Sequence, residues 1–352
     1  MIEGIELIKA LALAFGPTSC EGEVTDIIEK ELKDSGAELS RDRMGNLTAH
    51  IKGPEGAPRV MLSAHTDEVG FMITEIEDEG YLRFATLGGI DPAVLCGRRV
   101  TLGDESRRVG GVIAARGIHV QSADERKKLP KLEDLYIDIG TKSREETEAL
   151  LSRGDFGTFD TPFLTLGKDN AYIACKALDD RLGCALLVEV LRAVADRALP
   201  LDLWFSFTVR EEIGKSGAEV TANRIQPDAA IVIETTAIAD LAEVEPAFRV
   251  AEVGSGGVLS LLDRSTIYDR TLVDFALATA KKNGIPVQVK RYVSGGNDAG
   301  HIHKSGVGVR CLALSAPTRY LHAPVSLASA EDYEAMKALV IAMLTEKEGN
   351  PL

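Results

Sequence analysis

Leu201-Asp202-Leu203-Trp204-Phe205-Ser206-Phe207-Thr208-Val209-Arg210-Glu211-Glu212-Ile213-Gly214 is the stretch around which the chain is organised. Its first seven residues read as a buried strand, and Gly214 marks a turn just after two adjacent glutamates. Paired carboxylates at the carboxyl end of a core strand are costly to place there unless something offsets their charge. A pair of metal ions would supply that offset.

Working outward, strand and helix patterns alternate on both sides. Before the stretch come an amphipathic helix over 5–15, a helix over about 21–35, a strand at Leu47 to Ile51, and a buried strand from Arg59 to Ala64 that ends in His65-Thr66-Asp67. After residue 165 come a strand at Tyr172 to Lys176 and a helix from Asp179 to Ala195, with Leu182, Leu186, Val190 and Val194 on one face. A helix near 216–225, a strand at Ala229 to Glu234, a helix over 268–283, strands near 286–292 and 307–314, and a final helix over 329–346 complete the series. Between 69 and 164 the texture is different: short β-like runs separated by glycine turns, with one helix near 143–153. The chain therefore divides into 1–68 and 165–352, two segments of one catalytic α/β domain with a helix-flanked mixed sheet, and an inserted mostly-β domain at 69–164. The polar stretch 119–135 interleaves acids with bases and reads as a mobile loop.

The chain has 352 residues, ample for a large core, and its 45% hydrophobic and 27% charged content is that of a globular protein. A formal net charge of −14 argues against nucleic acid as a partner. Five scattered cysteines, Cys20, Cys96, Cys175, Cys184 and Cys311, form no disulfide framework or zinc ribbon and suit a reducing compartment. The first residues lack a basic leader, and the apolar run at 7–13 is charge-interrupted and too short to span a bilayer. Together these features predict a cytoplasmic protein with no membrane or nucleic-acid partner.

Several strand ends in the α/β part carry metal-type ligands. Residues two apart on an extended chain point the same way, so His65 is placed to bind a metal while Asp67 holds its other ring nitrogen. Asp179-Asp180 stands at a helix start, where aspartates are also common caps. Glu211-Glu212, Glu234 and a late His322 complete the set. Each is weak alone, but ligands of open α/β sheets collect at the carboxyl ends of the strands. Two imidazoles with three or four carboxylates suit two borderline divalent ions, zinc, cobalt or manganese.

In this order, Gly16-Pro17-Thr18-Ser19-Cys20-Glu21, Asp42-Arg43-Met44-Gly45-Asn46-Leu47, Ala64-His65-Thr66-Asp67-Glu68-Val69-Gly70-Phe71, Leu178-Asp179-Asp180-Arg181, the glutamate pair, Gly295-Gly296-Asn297-Asp298-Ala299 and Arg319-Tyr320-Leu321-His322 span nearly the whole chain. This set resembles the tetrahedral (TET) aminopeptidase family, the glutamyl and deblocking aminopeptidases of the dinuclear-metal exopeptidase clan. The resemblance implies that Asp179 bridges two divalent ions per subunit, that His65 and Glu234 complete one site, and that Glu212 and His322 complete the other. It implies that Glu211 is the general base on a metal-activated water, that Asp67 orients His65, and that the Asp179–Asp180 peptide is cis. Relatives often carry aspartate where this chain has Glu234. The family's inserted β domain dimerises, and six dimers build a tetrahedral homododecamer; by analogy 69–164 is the dimerisation domain and the 119–132 loop reaches a neighbouring active site.

The expected reaction is removal of the N-terminal residue from a short peptide. Gly296 and Asp298 are candidate substrate contacts, and Arg291, Lys304 and Arg319 are candidates for setting the preference for the N-terminal side chain. His301, His303 and His50 read as structural. Three other readings compete. A clan-related deacylase or carboxypeptidase would use the same metals with a different pocket. An endoglucanase-type glycosidase would need two carboxyls roughly 5–9.5 Å apart across the bond, which adjacent strand residues serve poorly. A non-enzymatic oligomeric scaffold would have no use for the ligand set.

Overall fold

A computed structural model of the chain describes residues 1–352, the side chain of Glu125 excepted. Two sheets organise it. The larger has eleven strands, and its centre is four parallel ones in the order Asp202–Thr208, Arg59–His65, Ala229–Ala237 and Arg310–Arg319. Antiparallel strands Glu38–Arg41 and Leu47–Ile51 extend one side; Ser326–Ser329, Tyr172–Cys175 and Leu164–Leu166 extend the other. The central strands are near-continuous apolar runs because helices cover both faces, as parallel sheets require. Helix Leu178–Val194 packs on Arg59–His65 and Ala229–Ala237 with helices Gly4–Leu13 and Ala330–Thr345 beside it; helices Ser216–Ile225 and Ala299–Ile302 pack on the opposite side.

The second sheet is a closed antiparallel barrel of six strands, Gly70–Ile76, Leu82–Leu87, Leu135–Asp138, Arg108–Ala115, Arg99–Gly103 and Phe156–Phe159 in spatial order. It has its own core, in which Phe71 meets Phe84 and Phe159 edge to face at ring distances of 5.3 and 5.1 Å.

Some elements differ from the sequence expectation. The helix expected over 143–153 is the five-residue Arg144–Glu148; the chain then turns so that Gly154, at φ +92°, bonds back to Ile73 of the barrel. The 119–135 stretch holds short 3-10 turns at Ile118–Val120 and Leu132–Asp134 and ends on a barrel strand. The strand expected at 307–314 runs to Arg319, through Pro317, a residue that normally counts against a strand. Gly257–Leu259 and Ser326–Ser329 have only three and four residues, too few for a period to be read.

The barrel leaves the sheet beside a buried ionic junction. Glu68 Oε1 lies 2.6 Å from Lys176 Nζ and 3.4 Å from Arg181 Nη2, and its Oε2 accepts from Thr158 Oγ1 of the barrel at 2.7 Å. Lys176 also donates to Ala14 O, and Arg181 to Leu11 O and Gly16 O, so most donors in this dry site are used. Glu68→Ala leaves two buried cations uncompensated and is expected to cost about 3–5 kcal/mol. Thermal unfolding reads this; a midpoint no lower than that of the exposed Glu55→Ala would show that the junction does not hold the barrel.

Candidate metal centre

Parallel strands all finish at the same edge, and here that edge gathers the chemistry. His65 closes its strand and is in register with Thr208, three residues before Glu211. Glu234 lies in the neighbouring strand opposite Ser315, and that partner strand leads to His322. Asp179 comes from the other side of the sheet, at the start of helix Leu178–Val194, across a cis peptide to Asp180.

The two imidazoles converge on Asp179 from opposite sides. His65 Nε2 is 3.3 Å from Asp179 Oδ1 and 3.8 Å from Glu234 Oε2. His322 Nε2 is 3.3 Å from Asp179 Oδ2 and 3.3 Å from Glu212 Oε1. Three ligand triads result: His65/Asp179/Glu234 and Asp179/Glu212/His322 share one carboxylate through its two oxygens, and His65/Glu211/Glu212 overlaps both. Each imidazole is aimed by its other nitrogen: His65 Nδ1 lies 3.1 Å from Asp67 O and 3.3 Å from Asp67 Oδ1, and His322 Nδ1 lies 3.0 Å from Gly89 O. Glu211 belongs to the third of these and is the one member paired with a lysine, its Oε1 3.0 Å from Lys215 Nζ.

The glutamate pair is held by its backbone. Four consecutive N–H groups leave the sheet ladder here and need acceptors. Val209 N donates to Asn46 Oδ1 (3.0 Å) and Arg210 N to Glu21 Oε1 (3.2 Å). Glu211 N donates to Asp67 Oδ1 (2.9 Å) and Glu212 N to Asp67 Oδ2 (3.1 Å). Arg210 sits at φ +59°, so the chain turns sharply between the strand and the acids. Gly217 lets the following helix close on this turn, since a Cβ there would collide with Val209 O and Asn46 Oδ1. Asp67 thus does more than face His65. Glu21 and Asn46 were visible only as motif residues, because nothing along the chain says which distant acceptor meets which strand-end donor.

Charge in this site does not balance within the protein. Burial pushes Glu211 and Glu212 up to about 7 and Glu234 well above the usual carboxylate range. Burial alone would depress the imidazoles, but Asp179 and Glu212 lift His322 to about 11, and Asp179 and Asp67 raise His65 well above its ordinary value. Asp179, though buried, is held below its ordinary range by those two imidazoles. Even so, Asp179 Oδ1, Glu212 Oε1 and Glu234 Oε1 are buried without a hydrogen-bond partner. Ligand atoms that converge at 3.3 Å without a hydrogen bond, in a buried acid-rich site, fit divalent ions of the zinc, cobalt or manganese type.

The site opens on a cavity of about 310 Å³ whose wall includes Gly296 but not Asp298. Asp298 is buried behind it and accepts from Thr208 Oγ1 at 2.6 Å, so it braces the strand end instead of facing substrate. Arg291 donates to Pro246 O, Arg319 is bound to Asp240 by two hydrogen bonds, and Lys304 is exposed; none of the three lines the cavity. His301 pairs with Glu219 and His50 stacks on Trp204, as structural histidines do.

The profile of the M42 glutamyl aminopeptidase family matches residues 45–339. The structure of a TET aminopeptidase from a marine sediment archaeon of the Thaumarchaeota superposes with a TM-score of 0.93 at 37% identity, covering 97% of this chain and 96% of that one. The Pyrococcus horikoshii TET1 peptidase, which can assemble into a tetrahedron or a large octahedral shell, gives 0.87 at 35% identity over 97% and 99% of the two chains. The lysyl aminopeptidase of Pyrococcus furiosus is 32% identical over 349 residues, 97% of this chain and 96% of its own.

Chelation is expected to lower the thermal midpoint more at about pH 8 than at about pH 6. Without a metal, Glu211 and Glu212 hold protons up to about 7, so their contribution to stability is complete below the unfolded carboxylate value and is lost as pH rises through about 7. His65 and His322 act in the same sense, losing their contribution above the unfolded imidazole value of about 6.5. Equal shifts at the two pH values, read by calorimetry, would remove this cluster as the metal site.

Proposed function

This chain belongs to the M42 aminopeptidase family and is a hydrolase of peptide bonds, and we propose that it removes N-terminal residues from short peptides using two divalent ions per subunit. The observation that carries this reading is the pair of ligand triads sharing Asp179 through its two oxygens. His65, Asp179 and Glu234 would hold one ion and Asp179, Glu212 and His322 the other. Such ions polarise a scissile carbonyl and acidify water, which is the chemistry amide hydrolysis needs at neutral pH. Zinc or cobalt suits this donor set, and manganese is compatible with it.

Glu211 is the general base in this reading. It takes the proton from the attacking water and delivers it to the leaving amine. Burial raises its carboxyl to about 7, near the working pH at which a base is most effective. Lys215, 3.0 Å away, holds the carboxylate in place between turnovers. Asp67 is a positioning residue: one carboxylate faces His65 and both N–H groups of the glutamate pair, so ligand and base share one anchor. An acid-rich cavity favours a substrate that presents a free amino group, which points to an aminopeptidase over a carboxypeptidase. A glycosidase reading has little support, since Glu212 is committed to His322.

We also propose that the barrel pairs subunits and that the dimers assemble into a tetrahedral dodecamer in the cytoplasm. The TET1 relative that can form a tetrahedron supports this. The five free cysteines suit a reducing compartment. Among the described residues no helix is long and apolar enough to cross a membrane.

Glu211→Gln is expected to retain bound metal by elemental analysis and to lose on the order of 10²- to 10⁴-fold in kcat. Near-normal turnover by this variant would sink the base assignment. Chelation that left activity intact would sink the metal reading and revive the glycosidase.

A further inference from the structure

We propose that Arg319 and Asp240 are positioning residues for His322, and that their ion pair sets the affinity of one of the two ions without touching the other. The proposal rests on the two-ion reading above and adds how the ion at Asp179, Glu212 and His322 is held. Arg319 ends the strand Arg310–Arg319, and His322 follows in the connection 320–325 to the strand Ser326–Ser329. Arg319 Nε donates to Asp240 Oδ1 at 2.6 Å and Nη2 donates to Asp240 Oδ2 at 2.8 Å. Two parallel bonds fix the direction of the guanidinium as well as its distance.

The pair sits where two neighbouring strands part. Asp240 comes just after the strand Ala229–Ala237, whose pairing with Arg310–Arg319 ends at Ala237 opposite Thr318. Arg319 and Asp240 therefore close the gap just past the last paired residues, between the strand that carries Glu234 and the strand that leads to His322. Asp240 Oδ2 also accepts from Val253 N at 3.2 Å, and the Asp240 side chain is only 5% exposed, so the acid is itself anchored.

The connection needs a hold of this kind. Tyr320 sits at φ +59° and His322 at φ +58°, in the left-handed region that L side chains rarely adopt. Within the connection the backbone bonds to itself through Ala323 N and Tyr320 O at 3.1 Å. On its far side Thr161 Oγ1 donates to Pro324 O at 2.7 Å, and on its near side stands Arg319. The other ligands do not depend on this connection. His65 and Glu234 lie inside strands whose ladders fix them, and Glu212 N is held by Asp67. The His65 side chain is 1% exposed, whereas that of His322 is 29% exposed. Loosening the pair would release His322 and leave the His65/Asp179/Glu234 set in place.

The test is calorimetric titration of zinc into chelator-stripped, dialysed enzyme, which reads the two ions separately. Arg319→Met is expected to weaken one ion on the order of 10- to 100-fold and to leave the other unchanged. Arg319→Lys, which keeps one charged donor for Asp240, should lose less. His322→Ala identifies the ion concerned: the ion it still binds should keep its affinity when Arg319→Met is added. If Arg319→Met does not fold, Asp240→Asn carries the same comparison. Equal weakening of both ions, unchanged affinity for both, or a further loss when Arg319→Met is added to His322→Ala would overturn the proposal and leave the two-ion reading standing. Binding of a single ion per subunit by the wild type would instead overturn the two-ion reading.

Discussion

A buried excess of negative charge is the constraint on which this structure depends. Asp67, Asp179, Glu211, Glu212 and Glu234 converge at one sheet edge, and the protein answers them with His65, His322 and Lys215. In a low-dielectric interior such a cluster repels itself strongly, so without help it must take up protons or bind cations. The raised pKa values of Glu211, Glu212 and Glu234 are the protein's own partial answer. Divalent cations would be the complete one, because they would satisfy the oxygens that no protein donor reaches.

Holding acids together against their repulsion takes a rigid frame, and the frame is backbone. The turn from Val209 to Glu212 has its four N–H groups tied to Asn46, Glu21 and Asp67, residues that arrive from three separate segments near the amino terminus. Two of these acceptors are carboxylates, which make the stronger, charge-assisted bonds. Displacing Asp67 would disturb His65, Glu211 and Glu212 together, so the ligand geometry and the base are coupled through one side chain. The junction at Glu68, next in sequence, links the same segment to the barrel through Thr158 and to the metal-side helix through Arg181. Site and barrel therefore share one four-residue segment, His65-Thr66-Asp67-Glu68.

The cavity wall draws on two sets of elements. His65 and Glu234 lie in the central parallel strands and Glu211 and Glu212 just past the end of another, where position is dictated by the sheet. Lys290 and the Gly295-Gly296 turn come from the far edge and the loop beyond it, where the sheet constrains little.

Sequence alone determined the fold class and marked out the acids and imidazoles that the structure brings to one sheet edge. Apolar runs such as Arg59 to Ala64 and Leu201 to Phe207 have a period that one local pattern reveals, and acids at strand ends are conspicuous because they are costly. Tertiary structure decided what depends on meeting across the chain. It made Asp67 the anchor of the glutamate turn and gave Glu21 and Asn46 roles as acceptors. It turned Asp298 away from the cavity and left Arg291, Lys304 and Arg319 off its wall. The physical reason is that strand periodicity is a property of neighbours in sequence, whereas a hydrogen bond or a cavity wall joins groups whose separation along the chain carries no information about their separation in space.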